Sequence, residues 1–476
     1  MRHTLTAILL LTLAFGASGQ TYTFTFKLDG MEDNKLYIGR HYRDALTLVD
    51  SAQRGSDGSY TFRGNRKWDR GIYALVRQDR TKQVGDFAVD GSRKFTISAD
   101  AKLTPSTVKV KGCLSNQQMF SYLAAWQAAR HEMETIRSRM SDPAAKAQAE
   151  ADEAELTARM DRYDLETRHP KKPMVFFDLI NACANADVPE EVEDKPYYYR
   201  VHYWDKLFDA TAGAPRAASK ELLYSPQLFN KLNYFFFGLL YHADSDTIAR
   251  ELDRLMGHIG PDTAMARYVL DFIAPKYFRS TKNIGWDAVW CHIASEYYLK
   301  GRCPWATEGT LHNMRYNYNR IKQSLIGAPG QELLMMDTTQ IDSPGHWYSS
   351  HRFPTRYVIL WFWDPDCHHC QEQSAELKAL YDSLQTAPDR RFEVYAVGYE
   401  SDVEKWKRYV REHDFRWINV GGSNVNIDYQ EAYNVHGAPT MIILNERREI
   451  IMNKVLPIKS IIPFLNEYEK RENTKK

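Results

Sequence analysis

The chain has 476 residues, 43% of them hydrophobic and 26% charged, the balance of a protein that folds around apolar cores and not of one that stays disordered. At about 100–200 residues per domain, that length points to several domains. Sixty-two Lys and Arg against 61 Asp and Glu give a net charge of +1, so no basic or acidic field marks it for nucleic acid, an anionic membrane surface or an acidic partner.

Residues 1–19 read as a signal peptide. Arg2 and His3 make a weakly basic start, residues 5–15 form an apolar run too short to span a bilayer, and Ala17-Ser18-Gly19 sets small residues where a signal peptidase reads. Gln20 is the expected mature start, and no cysteine follows it for lipid attachment. No other run reaches membrane-spanning length. The expectation is an exported, soluble protein of the periplasm or cell envelope that does not span the membrane.

Residues 20–112 read as an all-β accessory domain. Tyr22, Phe24, Phe26 and Leu28 alternate with Thr23, Thr25 and Lys27, the period of a half-buried strand. Asp29-Gly30, Asp57-Gly58, Arg63-Gly64 and Asp90-Gly91 are turn signals between short strand candidates at 35–38, 60–62, 72–76, 86–89 and 94–97. The pattern predicts a small antiparallel sandwich or barrel without a catalytic constellation.

Residues 113–325 read as helical. Phe120, Leu123, Trp126, Met133, Ile136 and Met140 recur at helical intervals, Pro143 suits the first turn of a second helix, and 144–165 is an Ala- and Glu-rich return arm. Further helices are predicted at 174–183, 197–208, 226–241, 245–258, 261–278, 286–299 and 312–325, punctuated by Asp244, Gly260 and Gly301. Aromatic residues make up 13% of the chain and cluster here, which reads as a packed helical core or as a carbohydrate or peptide groove.

Residues 326–476 alternate between strand and helix. The run 356–363 is almost continuously apolar, the mark of a strand buried on both faces. Helices at 371–384, 402–413 and 458–468, and strands at 392–397, 417–420, 441–444 and 449–454, follow.

Within that region, Cys367-His368-His369-Cys370 lies directly after the buried strand and directly before a helix. A helix N-terminus offers unpaired N–H groups and the positive end of the dipole, and both stabilise a thiolate. The spacing brings both sulfurs to one turn. Cys367 faces solvent as the attacking nucleophile, and Cys370 lies deeper and resolves the mixed disulfide. Protonated His368 and His369 would add positive charge beside the sulfur and give a moderately oxidising couple. A structural disulfide is another reading of the same spacing. Four consecutive residues do not readily surround one Zn²⁺, and no second ligand pair is suitably spaced, so no metal and no other cofactor is expected. Gly437-Ala438-Pro439-Thr440 precedes the 441–444 strand, where a proline is tolerated at the first residue. Cys113, Cys183, Cys291 and Cys303 read as small buried residues, with Cys291 and Cys303 close enough in sequence to bridge.

Taken together, Ile326-Gly327-Ala328-Pro329, the run from Trp361 through Asp364-Pro365-Asp366 to Cys370, and Tyr433-Asn434-Val435-His436-Gly437-Ala438-Pro439-Thr440 resemble the thioredoxin-like superfamily. The branch they resemble is the TlpA/ResA envelope group, related to the alkyl hydroperoxide reductase/thiol-specific antioxidant proteins. The resemblance covers under a third of the chain. It implies a thioredoxin fold over 326–476, a cis Pro439 packed against the cysteines, a site shaped by the Ala438 backbone, and Trp363 as the aromatic beside it. It also implies disulfide-containing exported proteins as substrates, apocytochromes among them, and a membrane-linked thiol reductant or oxidant as partner. The β and helical parts resemble accessory regions with no assigned chemistry.

Two positions depart from the family. Trp361 stands where thioredoxin has a buried Asp that assists proton transfer. Asp366 stands where Trp is common, and its carboxylate would raise the Cys367 thiol pKa and offset the histidines. Glu372 or Glu376 can relay a proton or simply be solvated. The expected fold class is therefore multidomain: an all-β sandwich or barrel over 20–112, an all-α region over 113–325 and an α/β thioredoxin fold over 326–476. The expected activity is thiol–disulfide oxidoreduction. The rival readings are a thiol peroxidase, disfavoured by Asp364 in the place of the peroxiredoxin Thr, and a redox-inert binding or assembly protein that uses residues 20–325.

Overall fold

The computed structural model describes residues 21–80, 82–208, 220–280, 283–337, 346–385, 390–399 and 402–474. The expected signal peptide and Gln20 lie outside them. The described residues belong to two compact units, Met1–Tyr241 with Leu255–Tyr268, and His242–Arg254 with Val269–Lys476.

The first unit begins with two four-stranded sheets. Its strands are β1 (Tyr22–Asp29), β2 (Lys35–Tyr42), β3 (Ala45–Gln53), β4 (Tyr60–Gly64), β5 (Gly71–Val76), β6 (Gln83–Val89), β7 (Lys94–Asp100) and β8 (Lys109–Lys111). The sheet orders are β4-β1-β7-β8 and β3-β2-β5-β6. The alternation in β1 buries Tyr22, Phe24, Phe26 and Leu28. From there Phe24 stacks on Phe95 at 4.4 Å, and Phe26 meets Phe87 of the facing sheet at 5.1 Å edge-on. The two sheets thus form a sandwich.

One pairing corrects the antiparallel expectation. β1 and β7 run parallel, because the chain builds β2 to β6 before it returns, and a connection of that length permits a parallel neighbour. β3 was absent from the sequence pattern because its hairpin with β2 turns at Arg43, a non-glycine residue at φ 57°, with no Gly or Asn to signal it.

Helices complete the unit. Leu114–Ser138 and Lys146–Thr167 form a hairpin packed through Ala129, Ile136, Ala149, Leu156 and Met160. Pro143 lies in the turn before the second helix and not in its first turn; there the Asp142 carboxylate accepts from the Ala144 N–H at 3.0 Å. The 197–208 run is two short helices, Lys195–Val201 and Asp205–Phe208.

The second unit carries a seven-stranded sheet ordered β10-β9-β13-β12-β11-β14-β15. Its strands are β9 (Leu334–Asp337), β10 (Trp347–Ser349), β11 (Tyr357–Trp363), β12 (Phe392–Gly398), β13 (Ile418–Val425), β14 (Thr440–Leu444) and β15 (Ile450–Met452). β11, β12 and β13 are parallel, and β14, β15 and β9 run against their neighbours. Every residue of β11 is buried. Tyr357, Ile359, Trp361 and Trp363 enter one core with Leu377, Tyr381, Ile461 and Leu465. Val358, Leu360 and Phe362 enter the other with Tyr395, Val397 and Tyr433. This is why the strand reads as an unbroken apolar run. The helix His368–Gln385 follows, tied back to β11 by the Trp361 Nε1–H, which donates to Ser374 Oγ at 3.0 Å.

Trp361 and Ser374 are both fully buried. Replacing Ser374 by Ala leaves the indole N–H without its acceptor, which costs about 1–3 kcal/mol. The expected outcome is a lower thermal midpoint for Ser374→Ala, read by tryptophan fluorescence.

Candidate active site

The site is assembled where β11 gives way to the His368–Gln385 helix. Asp364-Pro365-Asp366 turns the chain: the Asp366 N–H donates to Asp364 Oδ1 at 2.7 Å and the Cys367 N–H to the Asp364 carbonyl at 3.2 Å. The turn leaves Cys367 as the residue capping the helix. Its Sγ accepts from the Cys370 N–H at 3.3 Å, the place a Ser or Asp oxygen takes in an ordinary N-cap. Negative charge on that sulfur meets the free N–H groups and the positive end of the helix dipole.

The opposite wall comes from β14. It pairs antiparallel with β11 so that Thr440 lies beside Phe362. That register carries the preceding loop, with its cis Ala438-Pro439 peptide, to the mouth of the cysteine turn. The Cys367 thiol donates to the Ala438 carbonyl at 3.6 Å. Asp364, Asp366, Cys367, Tyr399 and Ala438 line a cleft of about 340 Å³.

The two thiols differ sharply. Cys367 is half-buried, Cys370 has no exposed surface, and both are free. Burial first, and then the hydrogen bond with Cys367, push the Cys370 thiol up to about 12. Trp363 belongs to the same core as Cys370 and is fully buried, its ring 6.1 Å from Trp406, 5.5 Å from Tyr409 and 5.5 Å from Phe415.

The charged residues are arranged in pairs. His368 and His369 point outward, 78% and 79% exposed, with Glu372 at 3.2 and 3.4 Å from them. Their charge, when present, is met by Glu372. Asp366 forms an ion pair with Lys405 from the helix Val403–Glu412. Nothing in the local sequence links positions 366 and 405, so sequence reasoning left that carboxylate unopposed. With Trp361 bonded to Ser374, the carboxylate that bears on Cys370 is that of Asp364.

Among the described residues no cluster of His, Cys, Asp or Glu is arranged to hold a metal ion. Cys113, Cys291 and Cys303 are buried, Cys183 is half-buried, and all four are free thiols. The Cys291 to Cys303 bridge that their spacing allowed is therefore not formed. Burial pushes Cys183, Cys291 and Cys303 up to about 12.

Residues 355–450 match the family model described as thioredoxin-like. This part of the chain is a thioredoxin-like domain. Solved structures similar to the chain include a domain of a possible thiol-disulfide isomerase from Cytophaga hutchinsonii, 28% identical over 32% of this chain and 97% of that one, with a TM-score of 0.28. A thioredoxin-like protein from Bacteroides caccae is 16% identical over 60% of this chain and 97% of that one, TM-score 0.47. A thiol-disulfide oxidoreductase from Bacteroides fragilis is 21% identical over 29% and 98%, TM-score 0.25. A comparison with curated proteins finds no match.

Two outcomes follow from the geometry of the thioredoxin-like domain. A thiol pushed up this far by burial stays protonated at pH 8, and the thiol is not the nucleophile. Brief iodoacetamide treatment of the reduced protein at pH 8 is therefore expected to label Cys367 and to spare Cys370, as read by peptide mass spectrometry. Lys405→Ala leaves Asp366 unopposed in the cleft, and a nearby like charge disfavours the thiolate. Alkylation of Cys367 at pH 7 is then expected to slow by about twofold to fivefold.

Proposed function

We propose that the protein is an exported thiol–disulfide oxidoreductase acting on the disulfides of other exported proteins. The observation that carries the reading is the pairing of a helix-capping, solvent-reachable Cys367 with a fully buried Cys370 under the Ala438 carbonyl. The Cys367 thiolate attacks one sulfur of a substrate disulfide. A mixed disulfide forms and the other substrate sulfur leaves as a thiolate. Cys370 then gives up its proton, with Asp364 as the acceptor at hand, and attacks Cys367 Sγ. The second substrate sulfur leaves, two electrons have passed to the substrate, and the Cys367 and Cys370 pair is a disulfide. A membrane-linked thiol reductant restores the dithiol; run in reverse with an oxidant, the same steps insert disulfides.

His368, His369, Trp363 and Asp366 tune the thiols in this reading, and Pro439 with Ala438 shapes the surface the substrate meets. Export is supported by the pattern of residues 1–19. Among the described residues no helix is long and apolar enough to cross a membrane.

The test is dithiothreitol-driven reduction of insulin. The wild type is expected to accelerate it, Cys367→Ser to fall to the uncatalysed rate, and Cys370→Ser to accumulate a covalent adduct through Cys367 that excess reductant releases. Acceleration that survives Cys367→Ser would overturn the proposal.

A further inference from the structure

The β-sandwich of the first unit holds a cavity of about 360 Å³ between the segment 65–68 and the turn that joins β6 to β7. That volume is at the small end of the roughly 300–1,000 Å³ usual for small-molecule sites. Its floor is aromatic: Tyr22 and Phe24 of β1 are buried, and half-buried Trp68 meets each of their rings at 5.3 Å. Its rim is cationic, with Arg66 and Lys67 on one side, Arg93 on the other, and all three exposed. No Asp or Glu lines it.

The carboxylates near these cations in sequence or space are engaged elsewhere. Asp90, one residue before Gly91 of the turn, accepts from Arg70 at 2.6 Å, from the Ser115 hydroxyl at 2.8 Å and from the Val175 N–H at 3.1 Å. Asp50 accepts from the Tyr22 hydroxyl at 2.6 Å and from the Ser51 N–H at 2.7 Å. Among the described residues, Arg66, Lys67 and Arg93 form no ion pair. Arg66 gives one N–H to the Val49 carbonyl and keeps the rest of its guanidinium donors. Like charges around a cleft with low-dielectric walls repel one another and focus their field on it. An anion that enters relieves the repulsion, and a guanidinium takes a carboxylate, sulfate or phosphate through paired N–H groups. The aromatic side chains offer an apolar surface to a ring-shaped body, which a bare inorganic anion leaves uncovered.

We propose that Arg66, Lys67, Arg93 and Trp68 form a binding site in the β-sandwich for a small organic anion built on a ring. The anionic group lies among the three cations and the ring lies against Trp68. An acidic sugar and an aromatic acid both carry that chemistry. The site does not depend on the cysteine chemistry, and it gives the first unit a ligand of its own.

The test is calorimetric titration of the full chain at low salt with D-glucuronate and benzoate, with their neutral counterparts glucose and benzyl alcohol, and with sulfate. At least one of the two organic anions is expected to bind about tenfold more tightly than its neutral counterpart and than sulfate, and the one that does identifies the kind of ring. Lys67→Ala and Arg93→Ala are each expected to weaken that binding by about threefold to tenfold, and added salt to weaken it further. Both side chains are exposed, so the variants are expected to fold, with the thermal midpoint as the check. Cys367→Ser is expected to bind as the wild type does, which keeps this result separate from the redox reading. No binding of either organic anion, equal binding of the neutral counterparts or of sulfate, or an affinity unchanged in both Lys67→Ala and Arg93→Ala would overturn the site.

Discussion

A sulfur atom in the capping position of a helix is the interaction on which the site depends. Cys367 accepts the N–H of Cys370, and that single bond satisfies one of the helix's free donors and holds the reactive sulfur at the helix N-terminus. It requires the helix to begin at one residue only. Asp364 enforces that start by holding the Asp366 and Cys367 N–H groups, and β11, buried on both faces, anchors the turn from behind. Shifting the helix start by one residue would turn Cys367 away from the Ala438 carbonyl and bring a different side chain to the cap.

The same arrangement separates the chemistry of the two cysteines. One helical turn inward, Cys370 enters a core of Trp361, Trp363 and Leu377, where burial outweighs every other influence on its thiol. Around the outer cysteine the ionisable side chains are paired, Asp366 with Lys405 and the two histidines with Glu372. Exposed pairs of this kind contribute little to stability.

Much of this was legible in the sequence, for physical reasons. β11 announced itself because a strand buried on both faces has no polar alternation, and the cysteines stood out because they follow it directly. Pro439 was legible because the apolar β14 begins at the next residue. β3 was hidden by a turn at Arg43, and β9 and β10 are too short to show a period. The parallel pairing of β1 with β7 depends on a connection that passes through five other strands, which no local window can see. Lys405 escaped for a related reason: its partner is close in space and far along the chain.

The central claim is that Cys367 and Cys370 exchange two electrons reversibly as a pair. Equilibration of the protein in defined mixtures of reduced and oxidised glutathione, with the thiol state of both cysteines read by acid quench and mass spectrometry, tests it most directly. A single two-electron transition is expected, with a midpoint between about −270 and −180 mV, the span between thioredoxin and disulfide isomerase. The transition is expected to vanish in Cys370→Ser. A pair that stays in the dithiol form across every mixture, or a transition that persists without Cys370, would contradict it.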